Sequence, residues 1–241
     1  FQTVFAILIP IIGKLKFTTH PLQLSDGDVI NYHFSNDVSQ DKIAILLHGL
    51  AGSANSPYII RLAKKLNRTG YCVARLEFRN YGKAYAKAKH LPHAGRSEDA
   101  LACIQALHQK YPKAEITVIG FSMGANVALK TAGEYSELLK QCNVKKILAI
   151  APPINLSKCA DLLDKPGNKI YRYCFMRSLN KMIANRHKIF PELGLAIKYP
   201  LNTGMRKFDD SYTARYSEFK DAKDYYQTCS SISVIQNIEI N

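Results

Sequence analysis

A serine hydroxyl attacks a carbonyl carbon efficiently only when it stands clear of its own backbone and N–H groups beside it receive the charge on oxygen. Gly120-Phe121-Ser122-Met123-Gly124 has the residue types for that arrangement. The pentapeptide follows the strand-like run Glu115–Ile119 and leads into Ala125–Lys130. It therefore reads as strand, tight turn and helix, the context a nucleophile elbow requires. In so tight a turn, side chains two residues before and after the serine would collide, so Gly120 and Gly124 shrink to hydrogen. The turn lifts Ser122 off the sheet and sets the N–H of Met123 at a helix start, aimed at a developing oxyanion. Three fixed residues match by chance in roughly one chain in ten of this length, so the flanking strand and helix carry the reading. His48-Gly49-Leu50-Ala51-Gly52-Ser53 ends another apolar run, Ile43–Leu47, and offers a second donor, the N–H of Leu50. The competing reading of that stretch is a plain glycine turn after a strand.

A serine of this kind needs a base, and in enzymes with such an elbow an acid and then a histidine follow the serine along the chain. A single histidine, His187, follows Ser122 here, inside Asn185-Arg186-His187-Lys188, where neighbouring cations lower imidazole basicity. His48 reads as a strand-end histidine bonded to backbone. His93 reads as a residue that orders the loop before a helix starting near Ser97. The usual chain order therefore leaves little room for the base.

The elements that must hold these residues alternate. Leu22–Leu24 and Val29–Phe34 flank the turn signal Asp26-Gly27 and read as a hairpin. Strands are expected at Ile43–Leu47, Cys72–Phe78, Glu115–Phe121 and Lys146–Ile150, and helices at Pro57–Arg68, Ser97–Lys110, Ser122–Leu139 and Asp221–Cys229. Alternating β and α elements mean an α/β fold with a doubly wound, mostly parallel sheet. From Leu156 to Tyr199 the strand signal stops; this basic, aromatic, helical stretch reads as a cap inserted at about residues 156–200, over the carboxyl edge of the sheet. Ile235–Ile240 reads as the approach to a further strand.

At 241 residues, with hydrophobic content of 47%, the chain is sized for one large core. Its six cysteines show neither a C-x-x-C pair nor regular spacing, which points to reduced, packed thiols and a cytoplasmic protein. Neither a metal-ligand cluster nor a dinucleotide fingerprint occurs, so no metal and no cofactor is expected. The formal net charge is +14. Without a nucleic-acid motif, that charge reads as a solvated basic surface, or functionally as peripheral contact with an anionic membrane. No obligate protein partner is evident. The apolar opening Phe1–Ile12 is too short to span a bilayer and lacks signal-peptide features, so it reads as a buried or interfacial segment.

These motifs together resemble the α/β-hydrolase family of the bacterial YheT type and its eukaryotic relatives (the AB hydrolase 4 group). The resemblance runs through Phe1-Gln2-Thr3, Asp26-Gly27-Asp28, His48–Ser53 with Ser56-Pro57-Tyr58, Phe78-Arg79-Asn80, His93–Asp99, Gly120–Asn126 and Phe208–Ala214, and so covers the whole chain. It implies a serine esterase, lipase or acyltransferase acting on a small acyl ester or lipid, with Ser122 as nucleophile and the Leu50 and Met123 amides as oxyanion hole. Asn80 and Ala125 stand where relatives often carry glycine. In the family the triad aspartate and histidine come from strands that would lie beyond Asn241, so the resemblance implies an incomplete hydrolase domain, impaired as it stands. The other readings are an acyltransferase to alcohols and a non-catalytic remnant that binds acyl ligands. Asp209 and Asp210 precede the family's acid strand and are expected to bind backbone or a basic partner.

Overall fold

The computed structural model describes residues 15–35, 41–82, 87–193 and 196–240. The apolar opening Phe1–Ile12 and part of the basic stretch 83–89 lie outside the described residues. Among the described residues six strands form one sheet: β1 (Thr18–Gln23), β2 (Val29–Ser35), β3 (Lys42–Leu47), β4 (Cys72–Glu77), β5 (Glu115–Phe121) and β6 (Val144–Ile150), in the order β1-β2-β4-β3-β5-β6. β1 and β2 pair antiparallel around Gly27, whose φ of 87° is the left-handed conformation the turn needs. β2 is antiparallel to β4; β4, β3, β5 and β6 run parallel.

Strand periodicity sorts the core into two layers. Along β3, Ile43, Ile45 and Leu47 enter one cluster, while Ala44 and Leu46 enter the other. Helix α1 (Pro57–Arg68) covers the second face with Ile59 and Ala63. Helices α2 (Ser97–Lys110) and α3 (Met123–Glu134) cover the first. The strand order turns back between β3 and β5, so their carboxyl ends, with the loops after Leu47 and Phe121, flank the crevice where such sheets place their sites.

Two elements differ from the sequence reading. The helix expected over Ser122–Leu139 breaks at Tyr135 into α3 and α4 (Ser136–Gln141). Gly133 lets the Val234 backbone approach so closely that a Cβ there would lie 2.3 Å from the Val234 carbonyl oxygen. The expected strand approach at 235–240 is instead a 3-10 turn, Ile235–Asn237, because Asn237 N–H bonds back to the Val234 carbonyl. Among the described residues β6 is an edge strand, and Leu148 and Ile150 are exposed.

Beyond β6 come α5 (Leu156–Leu163) and the long α6 (Lys169–Ile189), joined by a 3-10 turn at Pro166–Asn168. The short α7 (Met205–Phe208) runs into a π-helical turn at Asp209–Ala214, and α8 (Ala222–Cys229) follows with Asp221 as its N-cap. Among the described residues no helix is long and apolar enough to cross a membrane.

Candidate active site

Ser122 sits between β5 and α3 with φ 50° and ψ −118°, a conformation costly for any residue with a Cβ. Neighbours enforce it. Its N–H donates to the Ile150 carbonyl at 2.9 Å, and its own carbonyl accepts from Ala125 and Asn126 at 2.9 and 3.1 Å. Both glycines are obligatory here: a Cβ on Gly120 would lie 2.3 Å from the Gly124 carbonyl oxygen, and one on Gly124 would lie 2.5 Å from that of His48. The result is an exposed Ser122 side chain at the head of a helix.

The loop after β3 packs directly against it; a Cβ on Gly49 would lie 3.2 Å from Ser122 Cβ. The amides of this loop are almost all spent. Gly49 N–H donates to the Tyr58 hydroxyl at 3.0 Å and Ala51 N–H to the Tyr81 hydroxyl at 3.2 Å. Gly52 donates to the Gly49 carbonyl, Ser53 to Ser56 Oγ, Ala54 to Glu77 Oε1 at 3.0 Å and Asn55 to Ser53 Oγ. Leu50 is the exception: its N–H has no acceptor among the described residues, and neither has that of Met123. Both residues and Ser122 line one cavity. Two unspent amides at one exposed serine make an arrangement suited to an oxyanion.

The far wall of the cavity is apolar and comes from the helical segment: Leu163 of α5 and Phe175, Leu179 and Met182 of α6. A flexible hydrocarbon suits such walls, and Met adapts to its shape.

The histidines nearest the loop and the cavity, His48 and His93, are committed elsewhere. His48 is buried; its Nδ1 lies 2.9 Å from the Gly49 carbonyl and its Nε2 accepts from Phe78 N–H. Burial lowers its pKa, so the ring is a neutral strut beneath the loop. His93 lines the same cavity as Ser122. Its Nδ1 accepts from Gly95 N–H at 3.2 Å and its Nε2 faces Glu218 Oε1 at 3.2 Å, so both nitrogens are engaged. Burial lowers the His93 pKa while Glu218 is held down at about 2, first by the hydrogen bond from His93. The two shifts are compatible if a neutral imidazole N–H donates to an ionised Glu218, and geometry supports that assignment. His187, on α6, is not among the residues lining the cavity. Among the described residues, then, no histidine both lines the cavity and keeps a ring nitrogen free.

Asp210 accepts from the Ala222 backbone N–H at 3.0 Å. Asp209 departs from expectation: its partners are hydroxyls, Thr213 Oγ1 and Tyr226 OH, each at 2.7 Å, because the π-helical turn points it into the cavity wall instead of toward a cation. Burial pushes its carboxyl up to about 6, against the opposing effect of those hydrogen bonds. A carboxyl raised in the fold binds its proton more tightly there than in the unfolded chain, so its contribution favours folding at low pH and is lost as pH rises through about 6. Asp209→Asn is expected to gain on the native protein by about 2 kcal/mol between about pH 4 and pH 6. Denaturant unfolding at both pH values measures it; an unchanged difference would contradict the assignment.

Sequence reasoning missed two features around the cavity. Asn126, buried in α3, donates to the Ala94 and Cys229 carbonyls and accepts from Ser231 N–H, tying three segments to the helix that follows the serine. An amide inside the apolar run Ala125–Leu129 was the available signal. Arg79, also buried, donates to both oxygens of Asp99, to Asp28 at 2.7 Å and to Asp26 at 2.5 Å. Asp26, Asp28 and His90 converge closely enough to bind a cation, but the Arg79 guanidinium already supplies the positive charge among them.

Comparison with known proteins agrees with this fold. The sequence profile of the alpha/beta hydrolase fold family matches residues 44–173, which include the loop after β3, Ser122 and the start of α6. The chain is 27% identical to the putative esterase YheT of Escherichia coli K12 over 238 residues, covering 93% of this chain and 67% of that protein. It is 25% identical to monoacylglycerol lipase of Saccharomyces cerevisiae (80% of this chain, 44% of the lipase) and 24% to phospholipase ABHD3 of Mus musculus (99% and 60%). The chain thus spans about half to two-thirds of the length of these relatives. Among solved structures, the Pyrococcus furiosus esterase Pf2001 superposes with a TM-score of 0.55 at 23% identity, over 79% of this chain and 72% of the esterase. With sheet order, crevice and profile in agreement over more than half its length, the chain belongs to the alpha/beta hydrolase fold family.

Proposed function

We propose that Ser122 is the nucleophile of a serine carboxylic-ester hydrolase, with the Leu50 and Met123 amides as its oxyanion hole. The observation that carries the reading is the amide accounting: of the loop 49–55, the N–H left without an acceptor is that of Leu50, beside a serine held exposed in a strained turn. In the proposed reaction, Ser122 Oγ bonds to the ester carbonyl carbon, and the carbonyl oxygen takes the electron pair between the two amides. Collapse expels the alcohol, and water then releases the acyl group. The acyl chain lies against Leu163, Phe175, Leu179 and Met182. An esterase or lipase activity among relatives supports the reaction class.

The proton of Ser122 must go to a base, and the described residues offer none in position. We therefore test the nucleophile with an alkyl fluorophosphonate, mapping the adduct by mass spectrometry with and without added imidazole as external base. Slow labelling at Ser122, accelerated by imidazole and absent from Ser122→Ala, is the expected outcome. Labelling that Ser122→Ala leaves intact would refute the assignment. A second reading, an acyl-binding protein without turnover, is favoured by the engagement of both His93 nitrogens; it predicts acyl-ligand binding with no imidazole-dependent adduct. Transfer to an alcohol instead of water is a variant of the first reading. It has a parallel in the yeast medium-chain fatty acid ethyl ester synthase/esterase 2, 23% identical over 224 residues, and product analysis with added ethanol distinguishes it.

A further inference from the structure

The turn joining α5 to α6 forms a tip that is both apolar and cationic. Leu162 is 54% exposed, Ile170 59% and Tyr173 49%. Ile170 and Tyr173 stand three residues apart at the start of α6 and so share one helix face. The Leu162 backbone is tied to the turn that leads into α6: its carbonyl accepts from Lys165 N–H and from Asn168 Nδ2 at 2.8 Å. Single exposed apolar side chains are ordinary, but a group of them rimmed by polar residues marks an interaction surface.

The charge around them is one-sided. Lys158, Lys165, Lys169 and Arg177 are exposed and have no ion-pair partner among the described residues. The two nearby acids are already used. Asp161 pairs with Arg206, and Asp164 accepts from the Met205 and Arg206 backbone N–H groups. Ile170 and Tyr173 also line, with Lys169, Arg172, Leu201 and Asn202, a shallow open groove. Apolar side chains ringed by unpaired cations fit a surface with anionic headgroups over hydrocarbon.

We propose that this tip docks on an anionic phospholipid bilayer, with Leu162, Ile170 and Tyr173 entering the headgroup–acyl boundary and the lysines contacting the headgroups. The inference stands apart from the chemistry of Ser122. The same two helices supply Leu163 and Phe175 to the cavity wall, so docking brings the cavity close to the lipid.

The chain contains no tryptophan, so Tyr173→Trp creates a single reporter at the tip. With vesicles of equimolar phosphatidylcholine and phosphatidylglycerol, its emission is expected to shift to the blue, and with phosphatidylcholine alone to stay unchanged. In co-sedimentation with the mixed vesicles, Leu162→Ser/Ile170→Ser is expected to weaken binding at least about tenfold. Lys165→Glu/Lys169→Glu is expected to weaken it at least about 25-fold, roughly fivefold for each cation lost. Lys42→Glu/Lys113→Glu, which makes the same change of charge at the opposite end of the strands, is the control and is expected to bind nearly as the native chain does. Equal loss in the control would show attraction by net charge alone and overturn the proposal. So would sedimentation with vesicles without a blue shift, which would place the contact elsewhere. A blue shift without lipid, accompanied by a doubled mass in solution, would assign the tip to a second copy of the chain and equally overturn it.

Discussion

A polypeptide of residues 1–241 is expected to hydrolyse a short-chain nitrophenyl ester about 10⁶-fold more slowly than a complete serine triad would. The hierarchy of contributions sets this figure. A serine hydroxyl attacks poorly until its proton is removed, and the base must itself be oriented. The oxyanion hole and binding do not depend on the base and preserve roughly 10³–10⁴ over water. That residue should survive here, because the Leu50 amide is fixed by a loop whose other amides are all bonded. Ser122→Ala should accordingly lower turnover little further, whereas disturbing the loop, for instance by Glu77→Ala, which removes the acceptor of Ala54 N–H, should lower it more. Stoichiometric probe labelling of the native chain at Ser122 without imidazole would contradict the expectation. Loss of that labelling in His187→Ala would make His187 the base; its loss in His93→Ala would mean that His93 leaves Glu218 to serve.

Much of this site was legible in the residues alone because the constraints are local. The elbow needs glycine at 120 for a steric reason that acts within five residues, and the buried strand β3 announces itself as the unbroken apolar run Ile43–Leu47. Positive φ also followed local chemistry at Asn80, one of the few residue types that tolerates 59°. What escaped was long-range or tertiary. Val234 approaches Gly133, two residues before the break at Tyr135, from a hundred residues further along the chain. Asp209 carries no mark in the sequence that it would meet Tyr226 and Thr213, because a π-helical turn shifts the side-chain register by one residue relative to an α-helix. The committed state of His93 likewise follows from Glu218, which lies 125 residues away.

Arg79 is the clearest case of a residue whose weight appears only in three dimensions, and its replacement is expected to have the largest effect on stability. The guanidinium is buried among Asp99 and Asp28, both buried, and the half-exposed Asp26. Burial alone would lower the Arg79 pKa, but its hydrogen bonds to Asp99 and Asp26 more than reverse that, so the group stays charged. Removing one partner from a buried ion cluster leaves the others uncompensated, which costs about 3–5 kcal/mol. Arg79→Met should therefore destabilise the fold by about that amount at neutral pH. The cost should shrink with acid. Burial already raises the Asp99 pKa, and without Arg79 it rises further, so the carboxyl protonates and sheds its unpaired charge as pH falls. Apolar replacement of two partners, Arg79→Met with Asp99→Leu, should recover part of the loss, because the buried charge is removed with its partner. The consequences reach the cavity. Asp28 also holds the backbone N–H groups of Lys89 and His90, and the chain continues from there to Leu91 and His93 on the cavity wall. Hydrogen exchange should consequently rise first over residues 87–95 in Arg79→Met, before any change in the strands. Urea unfolding at neutral and acidic pH measures the energetic part. A loss below about 1 kcal/mol, or one that does not diminish with acid, would show that the four charges are solvated more than their burial implies.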